Sequence, residues 1–113
     1  MAFVKTNFPK HPWDERRIAH DFSDELAKAI IAGDTIASID SIKVYDGATG
    51  ADVTATGKKT ASEQIAADAK SVSAIYTGGT VGQTYWMVAR VVTANGEKIS
   101  GIIVMEIGKE TPP

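Results

Sequence analysis

The sequence contains no cysteine. Disulfides, thiolate metal sites and a cysteine nucleophile are therefore excluded. Histidine is nearly as scarce. His11 and His20 are the two present; they are not at metal-ligand spacing and have no close carboxylate cluster. Net charge is small, −2 at neutral pH, which argues against general nucleic-acid binding. No apolar run approaches the roughly 18 residues of a membrane-spanning helix. The first nine residues hold no apolar core of signal-peptide length. These absences together describe a soluble chain made in the cytosol, with neither membrane nor nucleic acid as partner. No nucleophile-elbow motif is present, and a triad assembled in space would leave no local trace.

What is there suits one globular domain: 113 residues, 43% hydrophobic and 23% charged, with ten glycines. Glycine and the Thr/Ser-rich stretches lean toward β structure with many turns. Residues 1–20 carry four Lys/Arg against two Asp/Glu, and the remainder eight against twelve. The start of the chain is mildly basic and the body mildly acidic.

The strongest local signal runs from Tyr85 to Ile107, where two β-rich runs flank Asn95-Gly96. Asn-Gly between such runs predicts a hairpin. A two-residue loop and a three-residue loop differ by one position of register, and one position exchanges the faces of a strand. The three-residue loop Ala94-Asn95-Gly96 collects Tyr85, Met87, Ala89 and Val91 with Ile99, Gly101, Ile103, Met105 and Ile107. That is a coherent core face. The two-residue loop would mix Lys98, Ser100 and Glu106 into it, so the three-residue loop is predicted.

The opposite face then holds Trp86, Val88, Arg90, Val92, Lys98, Ser100, Ile102, Val104 and Glu106. Trp86, Val88, Val92, Ile102 and Val104 are too apolar for a solvated face, and such patches mark interaction sites. Residues 1–15 read as an extended arm, since Pro9 and Pro12 remove backbone donors while Phe3, Phe8 and Trp13 remain sticky. The arm could lie over the patch in its own chain, or both could meet a neighbour. The candidate interface is therefore Phe3, Phe8, Trp13, Trp86, Val88, Val92, Ile102 and Val104.

The rest reads as short strands. Arg16–Phe22 alternates as a first strand. Ser23 would cap a short helix over 24–32, with Gly33 available to end it. Thr35–Tyr45 fits a strand with a bulge near Ser38–Ser41. Val53–Thr56 is predicted as a short strand, residues 60–69 as a strand followed by a turn at Ala67-Asp68, and Lys70–Thr77 as a clearer strand. Residues 109–113 cannot continue one. About seven strands with regular turns predict an all-β sandwich over 16–108.

Candidate chemistry is thin. Gly78-Gly79-Thr80-Val81-Gly82 lacks the lysine and the following helix of a phosphate loop; Gly78, Gly79 and Gly82 read as a tight corner. Asp46 and Asp52, with Asp40, lack a calcium-loop spacing. Tyr85, three residues after Gly82, has the position of a tyrosine corner, with Asn95 and Gly96 structural in the opposite turn. Trp86 could stack on a sugar, with Tyr45 as the second aromatic. No cofactor, metal or catalytic residue is expected.

Four blocks carry a resemblance: Ala19-His20-Asp21-Phe22-Ser23-Asp24-Glu25-Leu26, Ala32-Gly33-Asp34-Thr35-Ile36-Ala37-Ser38, the run from Tyr76 through Gly78-Gly79-Thr80 to Tyr85, and Arg90-Val91-Val92-Thr93-Ala94-Asn95-Gly96-Glu97. In this order and spacing they resemble small tailed-phage and prophage virion proteins, some of them tail or fibre adaptors. The likeness covers residues 14–107 and departs in the long Ile/Ser/Asp run after Gly33. It implies an immunoglobulin-like antiparallel sandwich, a structural role in the virion, other virion proteins as partners, possible homo-oligomers, and no catalysis. A carbohydrate-binding immunoglobulin-like module is the alternative.

Overall fold

The structure, a computed structural model, describes residues 2–27 and 33–108, with residues 2–9 described through their backbone alone. Part of the helix expected over 24–32 (residues 28–32), the tail 109–113 and the side chains of Phe3 and Phe8 lie outside the described residues. Among the described residues seven strands and two short helices follow in the order β1 Ala2–Lys10, β2 Arg16–Asp21, α1 Ser23–Ala27, β3 Ile36–Asp46, α2 Thr54–Gly57, β4 Gln64–Ile65, β5 Ser71–Tyr76, β6 Thr84–Thr93 and β7 Lys98–Ile107. They form two sheets, β1-β7-β6-β3 and β2-β5-β4.

Strict alternation makes the core. β5 and β6 alternate buried and less buried positions along their whole length. Ile18, Val72, Ala74 and Tyr76 from the smaller sheet meet Val44, Met87, Val91 and Met105 from the larger one in a single apolar cluster. Each fully buried aliphatic side chain there contributes on the order of 1.5–3 kcal/mol over its exposed state.

The hairpin closes as predicted. Thr93 N–H donates to Glu97 O at 2.8 Å, Gly96 N–H donates to Thr93 O at 3.0 Å, and Gly96 sits at φ +85°. Tyr85 pairs with Met105, Met87 with Ile103, Ala89 with Gly101 and Val91 with Ile99. The β3 bulge is also found, as register shifts between Ile36 and Ser38 and between Ile39 and Ser41.

One expectation is sharpened and three are corrected. The arm does lie extended on its own body, but as a strand: residues 2–10 form the edge of the larger sheet and run parallel to β7, while every strand pairing within 16–108 is antiparallel as expected. Val53–Thr56 is a helical turn instead of a strand. Asp52 Oδ1 accepts both the Thr54 N–H (2.9 Å) and the Thr54 hydroxyl (2.6 Å), which starts the turn, and Gly57 is thereby packed onto Val44. The strand expected over 60–69 shrinks to Gln64–Ile65, because Ser62 is buried, accepting the Ile75 N–H and donating to Lys59 O. The turn at Ala67-Asp68 stays, closed by Ala66 N–H on Ser71 O. Finally, Asp21 Oδ1 takes the Ser23 N–H at 2.8 Å, so α1 is capped by Asp21 and not by Ser23.

Candidate interaction surface

β6 and β7 position the candidate surface. Their register puts Trp86 opposite Val104, Val88 opposite Ile102, Arg90 opposite Ser100 and Val92 opposite Lys98. On the other side of β6, Tyr45 of β3 pairs with Trp86 and Lys43 with Val88. Trp86 is 43% exposed, while Tyr45, Val88, Val92, Ile102 and Val104 are half-buried. An apolar band thus crosses three strands on the side of the sheet turned away from the core. Cross-strand neighbours of this kind stand about 4.5–5.5 Å apart at Cβ, close enough to act as one surface.

The other candidates are distributed differently. The backbones of Phe3 and Phe8 lie in register with Gly101 and Met105, along the outer edge of β7. The arm therefore extends the sheet sideways as a strand instead of being laid across the Trp86 face by its backbone. Trp13 is in the connection from β1 to β2 and is 85% exposed. That connection is a tight turn in which Asp14 N–H donates to His11 O at 3.0 Å.

At the lower end of the hairpin, Gly78, Gly79 and Gly82 hold φ of +64°, +105° and +85°. Gly79 is also sterically required, since a Cβ there would stand 2.6 Å from Ile107 Cδ1. The Tyr85 hydroxyl accepts the Thr80 N–H at 3.0 Å, which ties β6 to the loop before it. At the upper end, Asp34 Oδ1 accepts the Thr35 N–H (2.9 Å) and the Asn95 N–H (3.2 Å), fixing the hairpin loop to the start of β3. Burial alone would raise the Asp34 carboxyl, but hydrogen bonds from Thr93, Thr35 and Asn95 outweigh it and hold the group below the usual carboxylate range.

A family model described as "Podophage GP4 fiber-tail adaptor protein gp77" matches residues 10–105. The chain belongs to that adaptor family. It is thus of a phage tail adaptor type, a structural protein of the virion. No curated protein matches the chain, and no solved structure does.

Two polar features of this adaptor-family chain escape sequence reading. Lys10 is 2% exposed, and its Nζ donates to Gly78 O (2.6 Å) and His11 O (2.8 Å). Burial lowers its pKa, with Asp14 and Glu15 opposing. Lys10 O accepts the Gly108 N–H at 2.8 Å, and the His11 ring Nδ1 lies 3.1 Å from Gly108 O. One of the basic residues of the arm is therefore a clasp for the end of β1, unavailable to a partner. His20 is fully buried, and its Nε2 lies 3.0 Å from Met87 O. A carbonyl can only accept, so Nε2 carries the proton; burial lowers the imidazole pKa. Nothing but an ordinary strand alternation announces either residue. Among the described residues no cluster of three or more His, Asp or Glu could hold a metal.

Proposed function

We propose that the chain is a non-enzymatic adaptor that joins a fibre to a phage tail through protein–protein contacts. The carrying observation is the Trp86 band: Trp86, Val88, Ile102 and Val104 on a sheet face that the core does not use. Membership of the fiber-tail adaptor family supports tail and fibre proteins as the partners. In this reading residues 1–15 act as an arm at the sheet edge, 16–108 as the body and 109–113 as a tail. Phe3, Phe8 and Trp13 join the Trp86 face in contacts with virion proteins, including further copies of the chain. Repetition around a tail suits a closed symmetric arrangement.

The sheet orders support an immunoglobulin-like body. β2-β5-β4 facing β7-β6-β3 follows the B-E-D and G-F-C orders of that sandwich. Tyr85 at the start of β6, bonded to the loop before it, has the place of the tyrosine corner.

The test is a Trp86→Ser, Ile102→Ser double variant used to build particles. The variant should melt near the parent temperature, and particles made with it should lose both the adaptor and the fibres. Particles with normal fibre content would remove this face from the contact. The register pairing of Tyr45 with Trp86 favours one second reading, a carbohydrate-stacking platform. Saturable glycan binding by the purified chain, lost in Trp86→Ala, would support that reading against a purely assembling role.

A further inference from the structure

Where the end of β3 and α2 meet the loop between β5 and β6, there is a recess of about 350 Å³. Its apolar walls include Val44 and Met105, both fully buried core residues. Thr77, Thr80, Tyr85 and Asp46 supply the polar part. Thr77 spends its proton on Thr56 O (2.9 Å), so its oxygen is left as an acceptor. Tyr85 Oη already accepts the Thr80 N–H and retains a second lone pair. Asp46 Oδ1 accepts the Ala48 N–H at 2.8 Å, and no cation forms a salt bridge with Asp46 among the described residues. Lys43, three residues earlier, acts on Asp52 instead. No lysine or arginine lines the recess.

A recess rimmed by acceptor oxygens, with a carboxylate that accepts only the Ala48 and Thr49 N–H groups of its own turn and has no cationic partner among the described residues, is complementary to a cationic head. The recess also lies near the proposed contact face, through Gly47. Gly47, next to Asp46, is approached so closely by Trp86 that a Cβ there would stand 3.4 Å from the indole Nε1. We propose that this recess receives a lysine or arginine side chain of the tail or fibre protein, as an anchor beside the Trp86 contact. The source of that side chain rests on the adaptor reading; the recess chemistry does not. Anchors seated in pockets at the edge of an apolar patch commonly dominate binding energy.

The experiment is an amide-detected NMR titration of the full chain with Nα-acetyl-lysine N-methylamide. The uncharged norleucine analogue and glucose are titrated in parallel. Saturable shifts at Asp46, Thr80 and Tyr85 are expected with the lysine probe, with affinity about tenfold lower for the norleucine analogue, as for loss of one charge-assisted contact. Asp46→Asn should bring the lysine probe down to the norleucine level. Because Asp46 also caps the turn at Ala48, Thr56→Phe at the exposed mouth serves as a second variant; it should abolish the shifts with Asp46 intact. No saturable shift with the lysine probe, or equal binding of norleucine or glucose, would overturn the proposal. Either result leaves the adaptor reading to stand or fall on the particle experiment with Trp86→Ser, Ile102→Ser.

Discussion

From β6, Tyr85, Met87, Ala89 and Val91 face the sandwich interior, and Trp86, Val88, Arg90 and Val92 face away from it. The inner row is buried to within 8% of full burial at Tyr85 and almost completely elsewhere. The outer row is half-buried or exposed. Both rows are built on the same strands and the same hydrogen bonds. The inner row is apolar because folding needs it; the apolar content of the outer row has no such cause. Folding and contact with a partner are thus separated by one position of register, which lets a substitution address one without the other.

The sharpest way to test that separation is Met87→Ala. Met87 is fully buried and should lose about 2–5 kcal/mol of stability on truncation, measured by urea unfolding. Gly79→Ala comes next. It forces a Cβ into Ile107 and a side chain onto a φ of +105°, and should cost about 1–3 kcal/mol in the same measurement. A smaller effect is expected from pH. Burial holds the His20 imidazole below its ordinary value, so on acidification the unfolded chain binds the proton first. Stability from neutral His20 is complete above the ordinary imidazole pKa of about 6.5 and falls as pH drops below it. His20→Gln, which can still donate to Met87 O, should flatten that part of the stability-against-pH curve. An unchanged slope would place the acid sensitivity elsewhere. The smallest effect is expected for Val88→Ser on the outer row, within about 1 kcal/mol of the parent. A loss as large as that of Met87→Ala would mean that the outer face is part of the fold and would break the comparison.

Much of the architecture was legible in the residues themselves. The Asn95-Gly96 turn, the three-residue loop and both rows followed from alternation, since the wrong loop would have placed Lys98 and Glu106 in the core. The β3 bulge was legible for the same reason: Ile36, Ile39, Ile42 and Val44 keep no single period. Asp52–Gly57 misled because Val and Thr favour strands, whereas the Asp52 carboxylate caps a turn through Thr54. Of the candidate surface, the Trp86 band was readable as an outer row. Its neighbour Tyr45 was known as an aromatic, but its place beside Trp86 depends on the two register shifts in β3. The recess at Asp46 was not readable, because β3, α2, the loop after β5, β6 and β7 all contribute to it.

By itself the sequence determined which side chains of each long strand turn inward. The alternation has a period of two, and a slip of one residue would expose the whole core row. Only the tertiary structure decided which edges meet. The parallel pairing of β1 with β7 joins residues about a hundred positions apart through backbone groups that every residue carries, so it leaves no mark in side-chain pattern. The same is true of Lys10, whose burial against Gly78 O and His11 O exists only once that strand is in place.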